Sequence, residues 1–566
     1  MASPSAAFTW LDWTVLFGYF VGITAFGLWM ARKIASSGSY FLGDRRLPWW
    51  VMVGQAFGTG THAENPVAQA GATFDKGFAT IWYQWKNMLI TPFYWLMAPW
   101  YRRCERTTIG ELVSDRYGRS LGFIYTVFAM CFFVFSQGAM LKGAGKVVSV
   151  ATGGEIISPN GVVIAMTAAF LLYGFFGGLI ASAYTDFVQG FLIILMSFML
   201  IPAGLAAVGG FAGMRENLDP SFFELYSRVS GIDGFTIAIL TLNGLVGITA
   251  QPHILSMNAS GRSERAGRVG QTYGNMVKRF CTIGWAFTGL IVAAMVLERG
   301  DALADKENAF GYASLHLLAP GLTGLMVACV LAANMSTCSN FMVNSGALFT
   351  RNLYQEYLRP KATDREALLV GRISGLTLTM LGVLFALSVG QVLDAFLFTE
   401  TLPAFFGIMI LGGILWRRAN RWGAWAGVLV SMFVYYAANY QAAGALKLVY
   451  KWEPEPFAWS MLTGFGAFIL ASLVTRAEPA ERIERFFDNM RRSTDLEGLP
   501  EGQPKPLAAQ RGQDLLLLDL TGWLTRQRWR RFFHRYREDL VGFLLAWATV
   551  ALLVGLAWGL MQIGKP

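Results

Sequence analysis

The sequence predicts an all-α integral membrane protein with about fourteen transmembrane helices. Hydrophobic residues make up 54% of the 566-residue chain and charged residues only 14%, whereas soluble domains carry about 25% charged residues. Apolar stretches long enough to span a bilayer recur along the whole chain. The loops between them alternate between many and few basic residues, which is the pattern of a multi-pass membrane protein.

The first apolar stretch, residues 10–31, is too long for a signal-peptide core, and no basic region precedes it. We therefore expect it to remain as the first helix. The remaining predicted spans lie at residues 48–72, 77–100, 120–150, 160–180, 184–208, 235–257, 275–297, 320–350, 368–389, 393–416, 422–440, 455–475 and 540–562.

Arginine and lysine are concentrated in alternate loops, such as those around Arg45, Arg106, Arg265, Arg359 and Arg417. Cytoplasmic loops of membrane proteins carry this excess of positive charge. We therefore expect a multi-pass protein of the plasma membrane, the inner membrane if the source is bacterial, with both termini outside.

The net charge of +10 follows from this topology. Because the cations are spread over every inner loop, they predict no nucleic-acid partner. The five cysteines form neither a disulfide framework nor a CxxC metal motif. No enzyme signature is present either, since residues 143–146 lack the flanking residues of a phosphate-binding loop.

Loop lengths and composition divide the chain into a membrane core and additions. We expect an N-terminal helix with its inner loop at 1–47, a core of helices at 48–416 and two peripheral helices at 417–475. A cytoplasmic segment at 476–539 and a last transmembrane helix at 540–566 complete the chain.

The cytoplasmic segment contains arginines interleaved with aromatic residues at 523–537 (WLTRQRWRRFFHRYR). Such a pattern is typical of an amphipathic helix on a bilayer whose inner leaflet is anionic. A solvated linker that leads into the last span explains the pattern equally well.

The second predicted span is interrupted at residues 56–66 (AFGTGTHAENP). Two glycines and Pro66 weaken the helix, while His62 and Glu64 bring polar groups to mid-membrane depth. Unwound backbone persists in a membrane only where it lines a cavity or site. An interrupted helix near the midplane therefore indicates the binding site of a transporter.

The seventh predicted span carries a second interruption at 243–253 (NGLVGITAQPH). A kink without function explains either interruption alone. Interruptions at corresponding places in two halves favour inverted repeats around a central site.

Residues 331–340 (LAANMSTCSN) place hydroxyl groups on a later span. A dehydrated hard cation needs several oxygen ligands. The carbonyl of Ala333 and the hydroxyls of Ser336 and Thr337 can converge beside the unwound carbonyls of the second span. Small hydroxyl residues also help membrane helices to pack, so composition alone leaves both interpretations open.

With these segments in place, the chain resembles the sodium:solute symporter family over residues 10–475. The resemblance rests on the order and spacing of several phrases. They are 40–50 (YFLGDRRLPWW), 108–118 (TIGELVSDRYG), 184–190 (YTDFVQG), 251–254 (QPHI), 335–337 (MST), 349–354 (FTRNLY) and 411–418 (LGGILWRR).

The resemblance implies a LeuT-type fold of two inverted five-helix repeats, with one extra helix before the core and three after it. It also implies a sodium ion between the interrupted helix and the later span. By position its ligands are Gly58, Thr61, Ala333, Ser336 and Thr337. A second sodium, present in some members, would use Asp186, Ser339 and Asn340.

The resemblance places substrate-binding residues on five core helices. These are Asn65, Gln84, Asn87, Gln251, Lys278, Thr399 and Glu400. Residues 58–62 (GTGTH) and Asn352 depart from the family pattern, so the resemblance does not identify the solute.

Charged side chains are costly in a bilayer and mark functional positions. Lys86 and Arg279 are such residues. Either can bind a carboxylate of the substrate or pair with an acidic side chain in an internal salt bridge.

The sequence therefore predicts a sodium-coupled symporter of a small organic solute, with an amino acid, a monocarboxylate and a sugar all left open. Sodium is the expected coupling ion, and we expect neither an organic cofactor nor enzymatic activity. Two alternatives remain at this stage. One is a membrane sensor that has lost transport, and the other is a proton-coupled symporter using Glu64, His62 or Asp186.

Overall fold

The computed structural model describes residues 8–32, 36–153, 158–227, 231–388, 391–492, 494, 513–522 and 531–565. These residues are almost entirely helical, and no β-strand occurs among them. The helices are α1 Trp10–Ala31, α2 Ser37–Leu42, α3 Trp49–Gly60, α4 Glu64–Lys76, α5 Trp82–Arg103, α6 Ile109–Tyr117, α7 Arg119–Ala151, α8 Pro159–Phe198, α9 Leu200–Ala207, α10 Gly210–Asn217, α11 Gly234–Gly247, α12 Ile254–Ala259, α13 Glu264–Arg299, α14 Ala309–Leu317, α15 Leu322–Leu348, α16 Asp364–Ser388, α17 Val392–Leu415, α18 Arg421–Ala443, α19 Pro454–Val474, α20 Ala480–Asn489, α21 Phe532–Arg535 and α22 Arg537–Gln562.

Within the described residues, nine helices are long and apolar enough to cross a membrane, together with two shorter apolar helices. The expected count of fourteen spans is therefore not confirmed. The physical reason is that core helices need not be long or apolar throughout. For example, α3 and α4 contain 12 and 13 residues, whereas about 20 apolar residues are needed to cross a bilayer.

Both predicted interruptions are present. Helix α3 ends at Gly60, and α4 begins at Glu64 with Pro66 in its first turn, where the missing amide proton costs nothing. Helix α11 gives way to a 3₁₀ turn at Ile248–Ala250, and α12 begins only at Ile254. The glycines and prolines of the sequence thus end these helices as expected.

Helix α8 covers the span predicted at 160–180 and continues to Phe198 within the span predicted at 184–208, whose remainder forms α9. No loop separates the two predicted spans, but Gly178 adopts φ 52° and ψ −158°, which interrupts the helical conformation. A Cβ at this position would lie 2.5 Å from the ring of Tyr40. Only glycine satisfies both the backbone conformation and this close approach.

Two long helices form the centre of the molecule. Helix α13 packs against α3, α4 and α5, and α15 packs against α3, α7, α8 and α16. The interruption between α3 and α4 lies beside both of them. The centre is therefore built where unwound backbone meets two continuous helices.

The segment after α19 folds onto the ends of α5 and α13. The Arg103 guanidinium makes two hydrogen bonds to the Glu264 carboxylate, at 2.8 and 2.9 Å, and donates to the carbonyls of Met490 and Gln513. The amphipathic helix expected at 523–537 falls mostly outside the described residues, which resume at Arg531.

Candidate functional site

The unwound backbone between α3 and α4 is held by hydrogen bonds from a neighbouring helix. The Ala63 amide donates to the Asn334 side-chain oxygen at 2.7 Å, and the Asn334 amide group donates to the Met140 carbonyl at 2.6 Å. Asn334 lies on α15 and is fully buried. A single side chain thus fixes the position of the break against α7 and α15.

The Thr337 hydroxyl faces two carbonyl oxygens at the end of α3 and one on its own helix, α15. Its Oγ1 lies 3.4 Å from the Gly58 carbonyl, 3.2 Å from that of Thr59 and 3.3 Å from that of Ala333. These distances exceed the usual 2.7–2.8 Å, roughly, of a hydroxyl hydrogen bond. Because one hydroxyl carries one proton, it can donate to one of these oxygens at a time. The oxygens therefore converge without being fully satisfied.

Asp186 on α8 closes the same group of oxygens. Its carboxylate accepts hydrogen bonds from Ser336 Oγ at 2.6 Å and from Thr59 Oγ1 at 2.9 Å. A Cβ on Gly58 would lie 2.9 Å from Asp186 Cβ and 3.0 Å from Ser336 Oγ, so glycine permits this approach. Gly58, Ser336 and Asp186, which were assigned to two different ions, therefore lie close together as one cluster, with Asp186 between α3 and α15.

Three other predicted ion ligands, Ser339, Asn340 and Thr61, form no direct hydrogen bond with Asp186 in the described part of the chain. Ser339 Oγ contacts Ser182 Oγ at 3.1 Å, one helical turn from Asp186. The Asn340 side-chain oxygen instead accepts from Asn344 at 2.7 Å. The Thr61 hydroxyl is buried and has no hydrogen-bond partner among the residues that the structure describes.

A cavity of about 70 Å³ lies beside this cluster and adjoins the break. It is lined by Ala56, Thr59, Gly60, His62, Glu64, Asn87, Tyr94, Phe132, Ser136, Met140, Ile248, Gln251, His253, Ile254, Met257, Gln271, Asn275, Lys278, Arg279, Phe341, Phe396, Thr399 and Glu400. Ligand pockets commonly measure roughly 300–1,000 Å³. The cavity is thus nearly closed in this conformation, and Thr59 belongs both to it and to the oxygen cluster.

Five of the seven predicted substrate residues line the cavity, namely Asn87, Gln251, Lys278, Thr399 and Glu400. Asn65 does not line the cavity. Its side-chain oxygen accepts a hydrogen bond from the His62 amide within the break. Gln84 is buried in α5 away from the lining, and neither of its amide atoms finds a hydrogen-bond partner within the described part of the chain.

Glu400 is the most connected side chain of the cavity. Its carboxylate accepts from Asn87 at 3.3 Å and from Gln251 at 3.4 Å, and it lies 3.9 Å from the Lys86 ammonium. Lys86 also donates to the Asn243 side-chain oxygen at 3.3 Å. The sequence left two interpretations of Lys86 open, and the structure shows the internal salt bridge.

The break contributes further polar contacts to the cavity. The Lys278 ammonium donates to the Gly60 carbonyl, and His62 Nδ1 forms a close contact with a Glu64 carboxylate oxygen. Only the first contact uses a backbone group that is freed where α3 ends. The first joins α13 to the end of α3, and the second lies within the break itself.

Some residues of the site were not singled out by their sequence. Thr59, Asn334, Ser182 and Gln271 are polar residues within apolar helices, and each is buried. Their polarity was visible, but their partners lie far away in the chain. Only packing of α3, α8, α13 and α15 brings these residues together.

The fold and the site together are those of a transporter with two interrupted helices around a central cavity. The chain belongs to the sodium:solute symporter family, whose model matches residues 40–431. This family consists of transporters, which are not enzymes. The expected family, the all-helical LeuT-type architecture and a multi-pass plasma-membrane protein are confirmed; the orientation of the termini stays a prediction.

Similar proteins are known from several organisms. The osmoregulated proline transporter OpuE of Bacillus subtilis (strain 168) is 28% identical over 83% of this chain and 96% of that protein. The high-affinity proline transporter PutP of the same strain is 26% identical over 80% of this chain and 96% of that protein. The sodium/glucose cotransporter of Vibrio parahaemolyticus is 23% identical over 76% of this chain and 86% of that protein.

Two solved structures share the fold. An outward-open, substrate-bound Na⁺-coupled sialic acid symporter superposes with a TM-score of 0.69 at 18% identity, covering 83% of this chain and 99% of that one. Mhp1, a nucleobase-cation-symport-1 family transporter, has a TM-score of 0.52 at 13% identity, covering 80% of this chain and 98% of that one.

Proposed function

We propose that the protein is a sodium-coupled symporter of a small organic solute. The observation that supports this most strongly is the cluster formed by the carbonyls of Gly58 and Ala333, the hydroxyls of Ser336 and Thr337, and the Asp186 carboxylate. Family membership supports the same conclusion.

The chemistry of the cluster fits a sodium ion. Hard cations take oxygen ligands from carboxylates, hydroxyls and backbone carbonyls. The Asp186 side chain is fully buried, and its hydrogen-bond partners among the described residues are two neutral hydroxyl groups. A buried carboxylate without a compensating charge is strongly destabilising, and a cation at this position would supply that charge.

We assign the first ion to Gly58, Thr61, Ala333, Ser336 and Thr337. A second ion would use Asp186 and Ser339, with Ser182 within reach of Ser339 Oγ. The Asn340 side-chain oxygen would have to leave Asn344 to join it. The shared contact of Ser336 with Asp186 would couple the two positions.

The adjoining cavity would hold the solute, within a transport core at 48–416. The solute would be bound there by the predicted residues that line the cavity, Asn87, Gln251, Lys278, Thr399 and Glu400. Asn65 and Gln84, which do not line it, would support those residues. Because Thr59 contacts Asp186 and also lines the cavity, ion and solute binding would each strengthen the other. Such coupling is reciprocal by thermodynamic necessity.

The test is uptake into proteoliposomes of a panel of amino acids, monocarboxylates and sugars, with a gradient of sodium or of choline. We expect sodium to stimulate uptake, and Ser336→Ala combined with Thr337→Ala to abolish that stimulation. Ser345→Ala is the matched control, because its hydroxyl lies on the same helix and bonds to the Met342 carbonyl.

Uptake that continues unchanged in choline, or in the double variant, would refute the sodium assignment. Uptake driven by a proton gradient without sodium would instead favour proton coupling. Asp186 is the residue to examine in that case, because a proton would satisfy its buried carboxylate as a cation does.

A further inference from the structure

The Arg279 guanidinium lines the central cavity but has no acidic partner among the residues that the structure describes. Its side chain is only 2% exposed. Nε and Nη1 have no hydrogen-bond partner in the part of the chain that the structure describes, and no carboxylate there lies within ion-pair distance. Within the described residues, the Tyr94 side chain is a hydrogen-bonding neighbour of the guanidinium. A buried cation in this state is costly unless a ligand completes it.

The two acidic residues of the cavity wall are engaged elsewhere. Glu400 binds Asn87, Gln251 and Lys86. Glu64 contacts His62 through one carboxylate oxygen. Neither acid therefore neutralises Arg279 by direct contact.

The other cation of the wall is engaged as well, since the Lys278 ammonium donates to the Gly60 carbonyl. A further unused donor lies on the same helix as Arg279. This is Nε2 of Gln271, which is buried and unpartnered within the described residues and also lines the cavity. The donors left over around the cavity thus suit an anionic acceptor.

We propose that the transported solute carries a carboxylate group and that Arg279 binds it. This inference rests on the proposed function and assigns a substrate class to the same cavity. The planar guanidinium presents adjacent donors that match the two oxygens of a carboxylate. A neutral sugar or polyol would leave the buried charge uncompensated. Monocarboxylates and zwitterionic amino acids share the required chemistry.

The unpartnered second oxygen of Glu64 distinguishes these two sources. It is buried, and Glu64 lines the same cavity as Arg279. An ammonium group on the solute would have an acceptor there, whereas a plain monocarboxylate would not use it. Glu64→Gln should therefore weaken binding of an amino acid and spare that of a monocarboxylate.

The experiment measures thermal stabilisation of the purified full-length protein and uptake into proteoliposomes. The probes are L-proline and other amino acids, pyruvate and lactate, D-glucose and myo-inositol, each with sodium and with choline. We expect sodium-dependent responses either to the amino acids or to the monocarboxylates. For the solute that responds, Arg279→Gln should raise KM about 10- to 100-fold, as expected for loss of a charge-assisted hydrogen bond. Arg279→Lys should restore part of the affinity.

Arg299→Gln is the matched control, because Arg299 lies at the exposed end of the same helix. A panel in which no carboxylate responds would overturn the proposal, as would an unchanged KM in Arg279→Gln. Stabilisation by sodium alone, lost with Ser336→Ala and Thr337→Ala, is the separate readout of the proposed function. Sodium stabilisation of the Arg279 variants would also show that these variants are folded. Failure of the carboxylate proposal can therefore be distinguished from failure of the proposed function.

Discussion

At the scale of single residues, Asp186 is the charged group of the proposed ion cluster. It is fully buried between Thr59 and Ser336, which lie on two different helices. Its carboxylate therefore lies where the end of α3 meets the middle of α15. The sequence showed only an aspartate near the start of a span, where a structural role was equally plausible.

Replacing Asp186 by asparagine tests this role. The substitution keeps the shape and removes the charge, so we expect the sodium concentration for half-maximal uptake to rise at least about tenfold, given the value of charged hydrogen bonds. Asp75→Asn is the control, because Asp75 forms an exposed ion pair with Lys306. An Asp186→Asn protein with unaltered sodium dependence would show that the carboxylate takes no part in ion binding.

Asn334 holds the break by two hydrogen bonds, and their contribution to stability can be measured separately. Asn334→Ala removes the acceptor of the Ala63 amide and the donor to Met140. Leaving a buried amide unsatisfied costs about 1–3 kcal/mol. Thermal unfolding in detergent should show this loss, whereas Asn439→Ala should show less, because Asn439 bonds only within its own helix, to Tyr435. Equal losses in both variants would argue against the role of Asn334 in holding the break.

At the scale of helices, the site depends on the close approach of α3 to α8 and α15. Gly58 lies at that contact, where a Cβ would meet Asp186 and Ser336. Because α3 ends two residues later, its carbonyls are available to the cluster. Contact distance and helix termination act together here.

Gly58→Ala should therefore push α3 away from the cluster. We expect a weakened response of uptake and of thermal stability to sodium. Gly18→Ala in α1 is the control, since nothing lies within 4 Å of a Cβ at that position, and alanine is the better helix former by about 1 kcal/mol. If both variants respond to sodium like the parent protein, close packing at Gly58 is dispensable.

At the scale of the whole molecule, the segment after α19 is tied to the core by charged groups. Burial alone would raise the pKa of Glu478, but hydrogen bonds from Arg421 and the charges of Arg421 and Arg482 outweigh it and lower the pKa below its ordinary value. A lowered carboxyl pKa stabilises the fold at pH values above the unfolded-state pKa. This stabilisation disappears as the pH falls through the lower, folded-state pKa.

Glu478→Gln should therefore reduce thermal stability at neutral pH and flatten its decline in acid. Unfolding temperatures measured from neutral pH down to the acid range provide the test. Glu455 lies at an exposed position in the first turn of α19. Glu455→Gln should therefore leave the pH profile unchanged. A profile that is the same for the parent and for Glu478→Gln would show that this ion pair does not link stability to pH.

The membrane class, the interrupted helices and the family could all be predicted from the sequence, because each rests on local signals. Apolar length, glycine and proline placement and the spacing of motifs are all readable along the chain. The sequence did not determine the number of recognisable spans, since short and polar core helices such as α3 and α5 are stabilised by burial within the bundle.

Only the tertiary structure decided which polar groups meet. Lys86 and Arg279 were equivalent in the sequence, but Lys86 lies near Glu400 and Arg279 lacks a carboxylate partner among the described residues. Ser336 and Asp186 are 150 positions apart, yet their side chains lie within 2.6 Å. Such contacts depend on how α5, α8, α13 and α15 pack. The residue types alone do not indicate which residues that are distant in the sequence will be close in space.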